Sequence, residues 1–118
     1  MKTYNLEERT FLFSKQTAFL ARKAKTNISN GIYLHQLIRS SSSIGSNYIE
    51  ANESLGKKDC LLHLRIARKE AKESAYWLRL ILTDESVDKD FELLLKEAIE
   101  LKLILSSIIV KISKKKDP

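Results

Sequence analysis

The chain holds a single proline, Pro118, at its last position, and only three glycines, Gly31, Gly45 and Gly56. An internal proline would remove a backbone donor and clash with the preceding turn, so long stretches without one are free to run as unbroken helices. Turn-forming residues gather in three places: Thr26–Gly31 (TNISNG), Asn52–Gly56 and Thr83–Asp88 (TDESVD). Gly and Asn tolerate left-handed backbone, while Ser, Thr and Asp compete for backbone hydrogen bonds or cap helix starts. Four proline-free segments lie between these breaks, over 5–25, 32–55, 57–82 and 88–114. At about 1.5 Å per residue each spans roughly 30–40 Å. Equal lengths and short connections predict antiparallel neighbours: an all-α, up-down-up-down four-helix bundle forming one domain over 1–118.

The apolar spacing agrees with helix and not with strand. The first segment places Leu6, Thr10, Phe13, Thr17, Leu20 and Ala24 on one stripe. The second places Leu34, Leu37, Ile38, Ser41, Ile44, Gly45, Tyr48 and Ala51. The small pair Ser41 and Gly45, one turn apart, predicts close approach of a neighbouring backbone. The third stripe is Leu64, Ala67, Ala71, Ser74, Leu78 and Ile81, with Ile66 and Trp77 at its margin. The fourth is Leu94, Ala98, Leu101, Leu105, Ile108 and Ile112. All follow a period of about 3.5–3.6 residues. Acidic residues near Asp88 and the run Lys114–Lys116 suit the two ends of the fourth helix dipole.

At 43% hydrophobic and 31% charged residues, the chain has material for one sizeable core and is neither disordered nor collagen-like. The lone Cys60 excludes an internal disulfide framework and fits a reducing cytoplasm. The charged opening MKTYNLEERTF holds no signal-peptide core, and the longest uncharged C-terminal run is too short for a membrane span. The expectation is a basic cytoplasmic protein.

The fourth segment is greasier than a bundle helix requires. Leu95, Ile99, Leu103 and Val110 form a second apolar row, about 140° from the core stripe on a helical wheel. Only Lys96, Glu97, Glu100 and Lys111 mark a clearly wet sector. A wide core edge is one account. The other is a subunit interface, because monomers rarely expose large apolar patches; Leu12 and Phe19 on the first segment point the same way. A homo-oligomer of closed cyclic symmetry is the corresponding expectation.

Charge is unevenly placed. Residues 56–83 carry seven basic and three acidic residues, whereas residues 84–118 carry seven and eight. Arg65, Arg68, Lys72 and Arg79 fall in one sector of the third helix, with Lys69 and Tyr76 at its edge, facing away from the core stripe. From Arg65 to Arg79 is about 21 Å, enough to follow several phosphates. Such a row suits nucleic-acid backbone, because neutralised phosphates release condensed counterions. An ordinary solvated Lys/Arg-rich face is the competing account. Arg22, Lys23, Lys25, Lys57, Lys58 and the Lys114–Lys116 tail add to the field without adding specificity. No helix-turn-helix, zinc finger or RNA-recognition signature is present, so binding to RNA or DNA would be backbone recognition rather than base reading.

Several polar residues demand partners. Glu70 lies on the core side of the third helix and Glu73 at its flank; Arg9, Arg39, Lys69 and the Tyr48 hydroxyl are the candidate partners. The second helix carries a polar row, Arg39, Ser43, Asn47 and Glu50, opposite its core face. It reads as a solvated face or as a hydrogen-bonding row toward a subunit or ligand. Arg39, Asn47, Glu50, Glu70 and Glu73 are taken as structural polar residues. No cofactor or metal is expected. A di-metal bundle wants Glu-x-x-His pairs, and neither His35 nor His63 stands three residues after a Glu. Cys60 reads as a buried thiol without zinc partners. The serines at 40–43 with Ile44-Gly45-Ser46 lack the glycines and lysine of a phosphate loop. No nucleophile, base and oxyanion donor assemble, so no enzyme is expected.

Residues 35–82 carry two blocks that resemble those of the 23S rRNA intervening-sequence proteins of bacteria. The first is Gln36, Leu37, Arg39, Ser40, Ser43, Ile44, Asn47, Glu50 and Ala51. The second is Ile66, Ala67, Lys69, Glu70, Glu73, Ser74, Tyr76, Trp77 and Leu78. Glu8-Arg9-Thr10 with Phe13 also fits, while the first connection lacks the proline often found there. The resemblance implies an antiparallel four-helix bundle that assembles as a ring, often a pentamer, with no attached enzymatic activity. A related accessory protein of diversity-generating retroelements is a basic ring that binds nucleic acid and a reverse transcriptase. The functional expectation is a non-enzymatic oligomer gripping RNA or DNA through Arg65, Arg68, Lys69, Lys72 and Arg79. The rival is a protein-interaction scaffold whose charge serves solubility.

Overall fold

The computed structural model describes residues 5–115. They form four helices: α1 (Leu6–Ala21), α2 (Ile28–Asn52), α3 (Lys57–Leu80) and α4 (Asp88–Ser113). Each packs on its chain neighbours, and α4 returns to α1 to close a four-helix bundle. The α2–α3 seam is the most extensive and the α1–α4 seam the thinnest. The third lysine of the tail, Lys116, lies outside the described residues. Among the described residues no helix is long and apolar enough to cross a membrane.

Capping sets the helix starts. The Asn5 side chain accepts from the Glu8 amide at 3.1 Å, and Asn27 accepts from the Asn30 amide at 2.8 Å. The second cap moves the start of α2 to Ile28, four residues before the expected 32, because Asn27 acts as an N-cap inside what reads as a turn cluster. α1 stops at Ala21 rather than 25, leaving it 16 residues long beside partners of 24 to 26. The expectation of equal helices is corrected there. α4 ends on Lys57, whose ammonium donates to the carbonyls of Ser113 and Lys115, groups a helix C-terminus leaves without internal partners.

The core follows the four stripes, with shifts on α2 and α4. Phe13, Leu37, Ile44, Leu64, Leu101 and Leu105 are fully buried at its centre. On α4 the buried position after Leu105 is Ile109, while Ile108 and Ile112 are half-buried. A 3.6-residue turn drifts from a strict seven-residue repeat, and four turns suffice to change the inward residue. Ile38 is exposed, and Ser40 is buried in its stead, exchanging a 2.8 Å hydrogen bond with Ser74 of α3. Cys60 is half-buried against the core and not enclosed. The predicted close approach occurs at Gly45, where a Cβ would stand 2.9 Å from Thr10 Oγ1.

One end of the bundle is sewn together by Asn30, which is fully buried. Its Nδ2 donates to the carbonyls of Lys25 and Leu82, each at 2.8 Å, and its Oδ1 accepts from the Leu82 amide at 2.9 Å. The first and third connections are thereby joined. In the third, the Asp84 carboxylate accepts from the Ser86 hydroxyl and amide, which hold it below its ordinary value. A depressed carboxyl contributes stability that is complete above its unfolded-state value and lost as pH falls through the folded one. Melting curves of the wild type and of Ser86→Ala should therefore differ slightly at neutral pH and converge under acid conditions.

A candidate nucleic-acid interface on the third helix

α3 presents its apolar residues to α2 and α4 and its cations to solvent. Arg65, Lys69, Lys72 and Arg79 are exposed and Arg68 is half-buried. Among the described residues, none of these five has a carboxylate within 4.0 Å. Three carboxylates share the helix, and two of them, Glu70 and Glu73, are drawn to α2. Glu70, only 6% exposed, faces Arg39 of α2, whose Nη1 lies 3.2 Å from Oε2. Glu73 receives the other amino group of Arg39, Nη2, at 2.9 Å. Asp59 lies 3.6 Å from His63 Nε2, an ion pair only when the imidazole is protonated.

Arg39 is thus the fastener of the α2–α3 seam. Gln36 Oε1 accepts from its Nε at 3.0 Å, fixing the plane of the fork. Burial alone would lower the guanidinium pKa, but the hydrogen bonds to Glu73 and then Glu70, with their charges, carry it above its ordinary value. Arg9 and Lys69, the other basic candidates for Glu70, go elsewhere. Arg9 makes a two-pronged pair with Glu97 of α4 at 2.7 and 2.8 Å, and Lys69 points to solvent. The polar row of α2 is not uniformly wet. Asn47 Oδ1 meets His63 Nδ1 of α3 at 3.2 Å and its Nδ2 donates to the Ser43 carbonyl, while Glu50 is exposed.

With Glu70 and Glu73 held at the seam, the charges on the outer sector of α3 from Arg65 to Arg79 are all cationic. At its N-terminal end lies an open cleft of about 680 Å³ lined by Gly56, Lys57, Lys58, Asp59, Leu62 and Arg65. Lys57 is occupied with the α4 carbonyls, so Lys58 and Arg65 supply the free charge there. Tyr76 stands on the same face. Among the described residues no cluster of three or more His, Cys, Asp or Glu is arranged to hold a metal ion.

The second apolar row of α4 divides. Ile99, Leu103 and Val110 are 42%, 55% and 50% exposed, whereas Leu95 is half-buried and packs against the core. Leu12 and Phe19 of α1 are exposed, with Lys23 Nζ 4.5 Å from the centre of the Phe19 ring. Sequence reasoning missed Leu93, exposed in a groove with Phe19, Gln16 and Asp90. It escaped because it lies on the α1 side of α4, where the thin seam leaves it uncovered. The stack of Tyr33 on Trp77 was also missed, since the two are far apart in sequence and only the α2–α3 pairing unites them.

Comparison with known proteins agrees with this architecture. A protein of unknown function from the S23 ribosomal protein family of Bacteroides thetaiotaomicron has a crystal structure similar to this chain, with a TM-score of 0.70 and 27% identity over 87% of this chain and 96% of that one. No curated protein matches. The family model described as "23S rRNA-intervening sequence protein" matches residues 2–107, nearly the whole bundle. The chain belongs to the 23S rRNA-intervening sequence protein family.

Proposed function

We propose that this protein is a non-enzymatic, cytoplasmic, ring-forming bundle that binds RNA or DNA backbone through the outer face of α3. The observation that carries the reading is the separation of charge on that helix. Among the described residues five cations of α3 have no carboxylate within 4.0 Å, while Glu70 and Glu73 share the single guanidinium of Arg39 at the α2–α3 seam. A solvated face with no task usually mixes its signs, whereas a phosphate-binding face gains from having one. Arg65, Arg68, Lys69, Lys72 and Arg79 are the contacts, and base identity is not read.

Self-association is the second part of the proposal, supported by the exposed row Ile99, Leu103 and Val110. Leu95 contributes from beneath, as a packing residue. A cyclic homo-oligomer, a pentamer among the options, covers that row. Light scattering of the purified protein tests it directly: a monomer at micromolar concentration removes the ring.

The binding test is a gel shift with random RNA over a range of salt. Affinity should fall steeply with salt. Reversing Arg65, Arg68 and Lys72 to Glu should lower the slope of log K against log salt by about 2–3, with the circular dichroism spectrum unchanged. Unaltered binding by the triple variant removes the α3 face from consideration. No shift by the wild type at near-physiological salt leaves the scaffold reading, in which the partner is another protein.

A further inference from the structure

We infer that the α3 face is built for single-stranded nucleic acid, with Tyr76 as the platform on which an unpaired base stacks. The inference rests on the backbone-binding reading above and adds the class of strand.

Tyr76 is 54% exposed, although it belongs to an aromatic group. Its cationic neighbours on the helix surface are Lys72, one turn before, and Arg79, one turn after; the acidic neighbour Glu73 is held by Arg39 of α2. Both are exposed, and among the described residues neither has a carboxylate within 4.0 Å. The ring is braced from behind: Trp77 lies 5.1 Å away at 71°, and Trp77 is in turn stacked by Tyr33 of α2 at 6.0 Å. The outermost ring of a three-ring series anchored across two helices is therefore presented among phosphate-binding cations.

In a duplex the base faces are covered by their neighbours, so an aromatic ring among cations adds nothing to grip on the backbone. An unpaired strand offers π-faces as well as phosphates. Basic grooves with interleaved aromatic rings serve that combination, and stacking tolerates any base. One turn to either side of Tyr76 stand Lys72, Arg79, Leu80 and the Arg39-bound Glu73, without the Asn or Gln that would single out adenine. A sequence-indifferent single strand is the ligand this chemistry fits.

The test compares oligothymidine with the oligothymidine–oligoadenine duplex of equal length, at one salt concentration, on the full-length protein. Tyr76→Ala should weaken oligothymidine binding about tenfold and leave the duplex unchanged. Tyr76→Phe should bind both as the wild type does, because the ring and not the hydroxyl is used. Emission from Trp77, the single tryptophan, should change when oligothymidine binds and not when the duplex does. If Tyr76→Ala binds oligothymidine as tightly as the wild type, or loses equally on both ligands, the stacking role is overturned. The triple charge variant then decides separately whether the backbone reading survives. If the wild type binds neither ligand, both readings fall.

Discussion

Replacing Arg39 with methionine should destabilise the bundle by about 2–3 kcal/mol, the loss expected when a buried carboxylate is left without its partner. Methionine keeps the apolar stem, so the loss reports the guanidinium and not the packing. Complete burial would place the cost at the upper end of the usual range, but Arg39 is 44% exposed and water reaches one side of the pair. Glu73 is more exposed than Glu70, and Glu73→Gln should cost less than about 1 kcal/mol. The decisive comparison is the double variant Arg39→Met/Glu70→Leu. Removing both charges abolishes the stranded carboxylate, so denaturant unfolding should recover most of the stability lost by Arg39→Met alone. A double variant no more stable than the single one would mean that Arg39 acts through something other than Glu70. The same double variant bears on function, because it leaves all five outer cations of α3 in place.

Gly45→Val should cost about 3 kcal/mol, through a contact that no side chain can escape. A Cβ at residue 45 would meet Thr10 Oγ1 at 2.9 Å and Thr10 Cβ at 3.3 Å. Thr10 cannot swing aside cheaply: it is β-branched, it is buried, and its hydroxyl donates to the Leu6 carbonyl at 2.7 Å. Gly45→Ala is a contest between about 1 kcal/mol gained in helix propensity and the strain of parting α1 from α2. Strain should win by a small margin. Thr10→Ala in the Gly45→Ala background should return stability toward the wild type, a non-additivity expected only of residues in contact. Thermal melts of the four proteins complete the cycle.

The fold was legible because its signals are local and repeated. Three breaker clusters and four 3.6-period stripes specify helix number and inward faces without reference to any long-range contact. The buried stripe of α3, from Leu64 to Ile81, is the stripe its spacing predicts. What local pattern could not supply was pairing. Glu70 was recognisable as a carboxylate in need of a partner, but choosing Arg39 over Arg9 requires knowing that α2 and not α1 lies against that side of α3. The start of α2 was misplaced for a related reason: Asn27 is both a turn residue and an N-cap, and only the helix that follows decides between them. The cationic sector was visible on the wheel. That Glu70 and Glu73 are drawn to the seam was not, since this depends on the position of a single guanidinium.

The Asn30 latch gives the molecule a polarity of loosening. At its own end two connections share one buried amide, so neither yields without the other. At the opposite end the turn between α2 and α3 carries a wholly exposed Leu55, and the last carbonyls of α4 depend on a lysine at the surface. Transient opening is therefore expected to start there, with amide exchange faster where α3 begins than at the Leu82 amide held by Asn30. Arg65 sits near the loose end and Arg79 near the fixed one, so the cationic row spans the gradient from yielding to unyielding backbone.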